Sequence, residues 1–131
     1  MMKKEEFEDL VAEAWLSAIP EKFRAKVKNV AFIVEDEPSD EVRCEEGLGE
    51  DETLFGRYVG IPATERGDMY GIGATLPDVI TIYRRPIEEE AEGNPERVRR
   101  VVAETVWHEV AHYFGLDHGE IEKREEKRSR L

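Results

Sequence analysis

The chain has a single cysteine, Cys44, so it can close no internal disulfide, and nothing in it calls for an oxidising compartment. Acidic neighbours on both sides make that thiol a poor candidate for an activated thiolate. Basic residues are in deficit: 19 Lys and Arg stand against 31 Asp and Glu, a net charge of −12. That field repels phosphates and argues against a nucleic-acid or anionic-membrane partner. No apolar run approaches the length needed to cross a bilayer. The opening residues, Met1 to Leu10, lack the unbroken apolar stretch of a secretory signal. These absences lead to the expectation of a cytoplasmic protein. There is no internal repeat and no linker-like segment, so the 131 residues are expected to form one domain, 1–131, around a single modest core.

Histidine is also scarce, and its placement is informative. All three histidines fall in His108-Glu109-Val110-Ala111-His112-Tyr113-Phe114-Gly115-Leu116-Asp117-His118, which spells H-E-x-x-H-x-x-G-x-x-H. Residues four apart on an α-helix lie roughly 40° apart around the axis and about 6 Å along it. His108 and His112 can therefore grip one zinc ion, and Glu109, turned about 100° from His108, sits beside the metal. A carboxylate placed there can take a proton from a zinc-bound water. A helix that simply continued would carry His118 about 9 Å beyond His112 along the axis, too far to share the ion. Gly115 supplies the left-handed residue with which helices commonly stop. The chain can then double back and offer His118 as third ligand, leaving a fourth position open for water. Asp117 either orients a ligand imidazole or is itself the third ligand.

The rest of the chain supports a helix–sheet frame for that motif. Phe7, Leu10, Val11 and Ala14 recur at helical spacing over roughly residues 4–18, and Pro20 follows the end. Asn29 to Glu35 and Asp78 to Tyr83 read as strands, the second rich in β-branched residues, and Thr53 to Val59 is a further candidate. The acidic stretch from Asp36 to Glu52 reads as loop with one helical turn. Residues 60–77, punctuated by glycine and proline, form a long loop, and Pro86 opens a short helix over 86–92. Asn94 is a plausible N-cap with Pro95 at the first helical position. From there Val98, Val101, Val102, Thr105 and Val106 trace a helix that packs on the sheet and carries the histidines at its far end. The charged tail from Glu120 to Leu131 contains i,i+4 pairs suited to a terminal helix.

Over nearly its whole length the sequence resembles the small bacterial zincin-like family, zinc metallopeptidases of minimal fold. The resemblance runs through Ala18-Ile19-Pro20, Asn29 to Asp36, Gly60-Ile61-Pro62, Leu76 to Arg84 and Thr105 to Gly115. It implies an α+β fold: a small mixed β-sheet packed against an active-site helix carrying HExxH, with an N-terminal helix. It also implies hydrolysis of a peptide or protein substrate, with zinc as cofactor. Members of that family commonly place an aspartate where this chain has His118. The three-histidine ligand pattern therefore resembles metzincins, but no methionine follows His118 to form their characteristic turn.

If the chain is a peptidase, Glu109 is the general base, His108, His112 and His118 are the metal ligands, and a sheet edge at 78–83 or 53–59 pairs with an extended peptide. Tyr70, Tyr83 and Arg84 are oxyanion-stabiliser candidates by residue type alone. One alternative is a zinc-binding interaction module without turnover, although a purely structural site needs no base. The other is a metal-dependent endoribonuclease. Gly115 to His118 resembles the end of the three-histidine motif in the bacterial ribosome-maturation enzymes. Those enzymes commonly have glycine where this chain has Glu109, and the acidity here opposes RNA.

Overall fold

The first helix, α1 (Lys4–Ala18), buries Phe7, Val11 and Ala14 along one stripe and places Glu5 and Glu6 in its first turn, where carboxylates suit the helix dipole. The computed structural model of the chain describes residues 2–60 and 77–115. Unpaired carbonyls at the end of α1 are taken up by the next element, α2 (Glu21–Arg24). Arg24 donates to the Leu16 and Ile19 carbonyls at 2.7 and 2.6 Å. This one-turn helix is absent from the sequence-based reading because four residues carry no periodicity.

The three strands are β1 (Val30–Glu35), β2 (Gly56–Val59) and β3 (Asp78–Tyr83), and α3 (Asp40–Glu45) lies between the first two. Ser39 caps α3 by accepting the Val42 N–H at 3.2 Å, so the acidic stretch does contain a short helix. The sheet order is β1-β3-β2. β1 runs parallel to β3, pairing Phe32 with Ile80, and β2 runs antiparallel to it, pairing Arg57 with Thr81. The sheet is therefore mixed. It also corrects one expectation: residues 78–83 are the central strand, with both edges already hydrogen-bonded, and offer no edge to a peptide. Ile80 and Ile82 alternate with Val79 and Thr81 on β3, and the isoleucines face the core.

The chain leaves β3 directly into α4 (Arg84–Glu90), two residues before the expected start at Pro86. Proline is tolerated there because the first-turn N–H groups have no partner within the helix. The long α5 (Pro95–Tyr113) begins as read from sequence, with Pro95 in its first turn and the Asn94 side chain accepting the Glu96 and Arg97 N–H groups at 3.0 and 3.3 Å. Val98, Val102, Val106 and Val110 form one fully buried stripe. The stripe lies against α1, β2 and β3, while α1 also packs on β1. α5 is thus rooted in the core along its length, which fixes where its C-terminal turn presents polar groups. Among the described residues, no helix is long and apolar enough to cross a membrane.

Candidate metal centre

His108, Glu109 and His112 sit in the last two turns of α5, and helical spacing brings them together. Their ligand atoms all lie within 4.8 Å of one another. The two imidazoles are half-buried, with ring centroids 4.9 Å apart and planes at 69°. Two imidazoles and a carboxylate so gathered are a donor set that fits a divalent transition metal. Gly115 has φ of +80° and its N–H returns to the His112 carbonyl at 2.9 Å, ending the helix in the left-handed conformation expected of that glycine. The proposed third ligand His118, with Asp117, lies outside the described residues.

The tertiary structure decides the environment of Glu109. This side chain is only 7% exposed. Burial pushes its carboxyl up from the ordinary 4.5 to about 7, the nearby Glu46 carboxylate adds to the rise, and a hydrogen bond from the Tyr58 backbone N–H opposes it. β2 supplies that N–H and also restrains Glu46. Arg57 of β2 holds Glu45 and Glu46 of the α3 end at 2.5 and 2.9 Å. For Arg57 itself, burial works to lower the pKa, but these two carboxylates outweigh burial and raise it. These contacts tie β2, α3 and α5 into one wall beside the histidines.

β2 can lie this close because Gly56 has no side chain. A Cβ there would meet the Thr105 Cγ2 at 2.7 Å, and the Glu109 Cγ and Thr81 carbonyl oxygen at 3.2 Å each. Tyr58 fastens the same strand from its side chain. Its hydroxyl donates to the buried Asp78 at 2.7 Å and its ring meets Tyr113 edge-on, 6.3 Å between centroids. Tyr113 in turn accepts the Lys28 N–H at 3.1 Å, linking the motif helix to the chain entering β1. Sequence reasoning missed Gly56 and Tyr58. The one available signal was a glycine inside a candidate strand, which marks close backbone approach.

A cleft of about 430 Å³ opens at His108 and Glu109 and runs back along α5 past Glu104, with Leu54 and Phe55 on its opposite wall. The oxyanion candidates fare differently. Tyr83 is buried at the end of β3. Burial raises its pKa, with Glu35, Glu46 and Glu109 adding and Arg57 opposing, so it is a protonated phenol near the site. The Arg84 guanidinium donates to the Met2 carbonyl and to Asp36, both at 2.7 Å, and serves the N-terminal segment instead. Tyr70 lies outside the described residues.

The profile of the zincin-like metallopeptidase family matches residues 27–128, from the lead into β1 through the whole histidine motif. This chain belongs to that family. The zincin-like fold is also seen in a solved structure, a conserved hypothetical protein from Thermo thermophilus. That protein is similar at 25% identity with a TM-score of 0.56, over 86% of this chain and 94% of its own. No curated protein matches the chain. Membership implies a metal, and in this zincin-like metallopeptidase the clustered His108, Glu109 and His112 are the described residues suited to a metal site.

Proposed function

We propose that this chain is a zinc-dependent peptidase with Glu109 as its general base. His108 and His112 would hold the metal, with His118 as the third ligand. A zinc ion held there supplies Lewis acidity, which makes an attacking water more acidic and polarises the scissile carbonyl. The buried Glu109 carboxylate carries the reading. A group so desolvated is costly to keep ionised, and its pKa near neutrality suits a residue that must both take and give a proton.

Glu109 accepts a proton from the attacking water as the new carbon–oxygen bond forms. It returns that proton to the amide nitrogen as the carbon–nitrogen bond breaks. The Tyr58 N–H holds the carboxylate in one orientation throughout. Among the described residues β2 is an edge strand beside the histidines, suited to lengthwise pairing with an extended peptide. A binding module without turnover is less well supported, because a structural site has no use for a buried carboxyl poised near neutral pH. The net charge of −12 weighs against the endoribonuclease reading.

The test is cleavage of a diverse peptide mixture, read by mass spectrometry, with zinc-loaded wild type and Glu109→Gln side by side. Wild type should cleave, and the variant should retain zinc but lose about 10²–10⁴-fold in rate. Equal cleavage would remove Glu109 from the mechanism. No cleavage by fully loaded wild type would move the assignment to the binding module.

A further inference from the structure

The approach of β2 to α5 is closer than any residue with a side chain would allow, and a specific contact depends on it. We propose that Gly56 is a positioning residue: its missing side chain lets β2 close on Thr105 and Glu109, which brings the Tyr58 N–H onto the Glu109 carboxylate. The consequence for turnover rests on the peptidase reading, but the geometry does not.

The atoms that a Cβ would meet have no room to retreat. Thr105 is buried, and its hydroxyl donates to the Val101 carbonyl at 2.7 Å, which fixes the rotamer and so the position of its methyl group. The Thr81 oxygen belongs to the backbone of the central strand, which is paired on both sides. β2 is itself held at several other points. Its four residues pair with Val79–Ile82, the Tyr58 hydroxyl is bound to Asp78, and Arg57 is bound to Glu45 and Glu46. At the end of the strand, Gly60 lies so close to Asp78 that a Cβ would overlap its carboxyl carbon.

An added methyl at Gly56 therefore widens the gap between β2 and α5, by some tenths of an ångström at the 2.7 Å contact with Thr105. The Tyr58 N–H bridges that same gap two residues along. Lengthening its bond frees the carboxylate to turn, and misplacement of a reacting group by about 1 Å can cost about a hundredfold in rate.

The experiment compares zinc-loaded wild type, Gly56→Ala, Thr105→Ser and the double variant. Serine deletes the obstructing methyl while keeping the hydroxyl that binds Val101. Two readouts are taken: steady-state kinetics on a peptide the wild type cleaves, and the Tyr58 amide proton resonance by NMR. A bond to a carboxylate shifts that resonance downfield, and Glu109→Gln provides the reference for its loss.

Gly56→Ala is expected to retain zinc, to lower kcat at least tenfold with KM changed less than about twofold, and to move the Tyr58 amide upfield. Adding Thr105→Ser should restore both. An unmoved amide in Gly56→Ala, or no restoration in the double variant, overturns the proposal. Should Gly56→Ala alone not fold, the double variant is measured against Thr105→Ser. Matching amide shifts support the proposal, and a displaced amide overturns it. If wild type cleaves nothing, the peptidase reading fails while the amide resonance still decides the role of Gly56.

Discussion

His108 and His112 stand one turn apart on α5 with ring centroids separated by 4.9 Å, on a helix whose opposite stripe is fully buried valine. The scaffold holds both rings whether or not a metal is present. Replacing either histidine by alanine should therefore leave the fold intact by circular dichroism. Zinc affinity, read by chelator competition, should fall at least about a hundredfold, since even residues that only support a ligand are worth about 10–100-fold.

The third ligand can be tested in the same way. His118→Ala should weaken zinc at least tenfold, and Asp117→Ala should weaken it less if that carboxylate only orients an imidazole. A larger loss from Asp117→Ala would exchange the two roles.

Gly115 should be sensitive to any side chain. At φ of +80°, alanine is strained by about 1 kcal/mol, and the helix is free to continue past its present stop. Gly115→Ala should lower the melting temperature by a few degrees. If His118 depends on that stop, the variant should also weaken zinc binding, as measured by the same competition.

The metal-free protein should carry a pH signature from Glu109. Its carboxyl titrates near 7 when folded, against an ordinary value of 4.5, because burial, helped by Glu46, disfavours the charged form. The folded state thus binds the proton more tightly than the unfolded state. Stability from this group is complete below about pH 4.5, falls as pH rises toward 7, and is flat above. The full effect is about 3 kcal/mol. Denaturant titrations of chelator-treated wild type and Glu109→Gln at about pH 5 and about pH 8 isolate it: the difference between them should shift in favour of the variant at the higher pH.

At the opposite end of α5, Asn94→Ala removes the acceptor for the Glu96 and Arg97 N–H groups. About 1 kcal/mol of stability should be lost in thermal or denaturant unfolding. Zinc affinity should be unchanged, because the histidines lie roughly four turns away along the same helix.

Local features were legible in the sequence. α1 came from the spacing of Phe7, Val11 and Ala14, and α5 from the Asn94-Pro95 start, the valine stripe and the Gly115 stop. β1 and β3 came from runs of β-branched residues. Each of these depends on contacts within a few residues, as does the grouping of His108, Glu109 and His112. The one-turn α2 was not legible, because four residues are too few to show a period. The start of β2 at Gly56 and the central place of β3 were hidden for a different reason: strand pairing is chosen by partners distant in the chain, and the sequence does not mark which of two apolar runs lies between the others. The chemistry of the site divides in the same way. The residue types and their helical spacing were set by sequence alone. That Glu109 is buried, that Glu46 lies near it and that the Tyr58 N–H restrains it were decided by the packing of β2 and α3 onto α5, because desolvation and a single backbone hydrogen bond exist only once those distant segments meet.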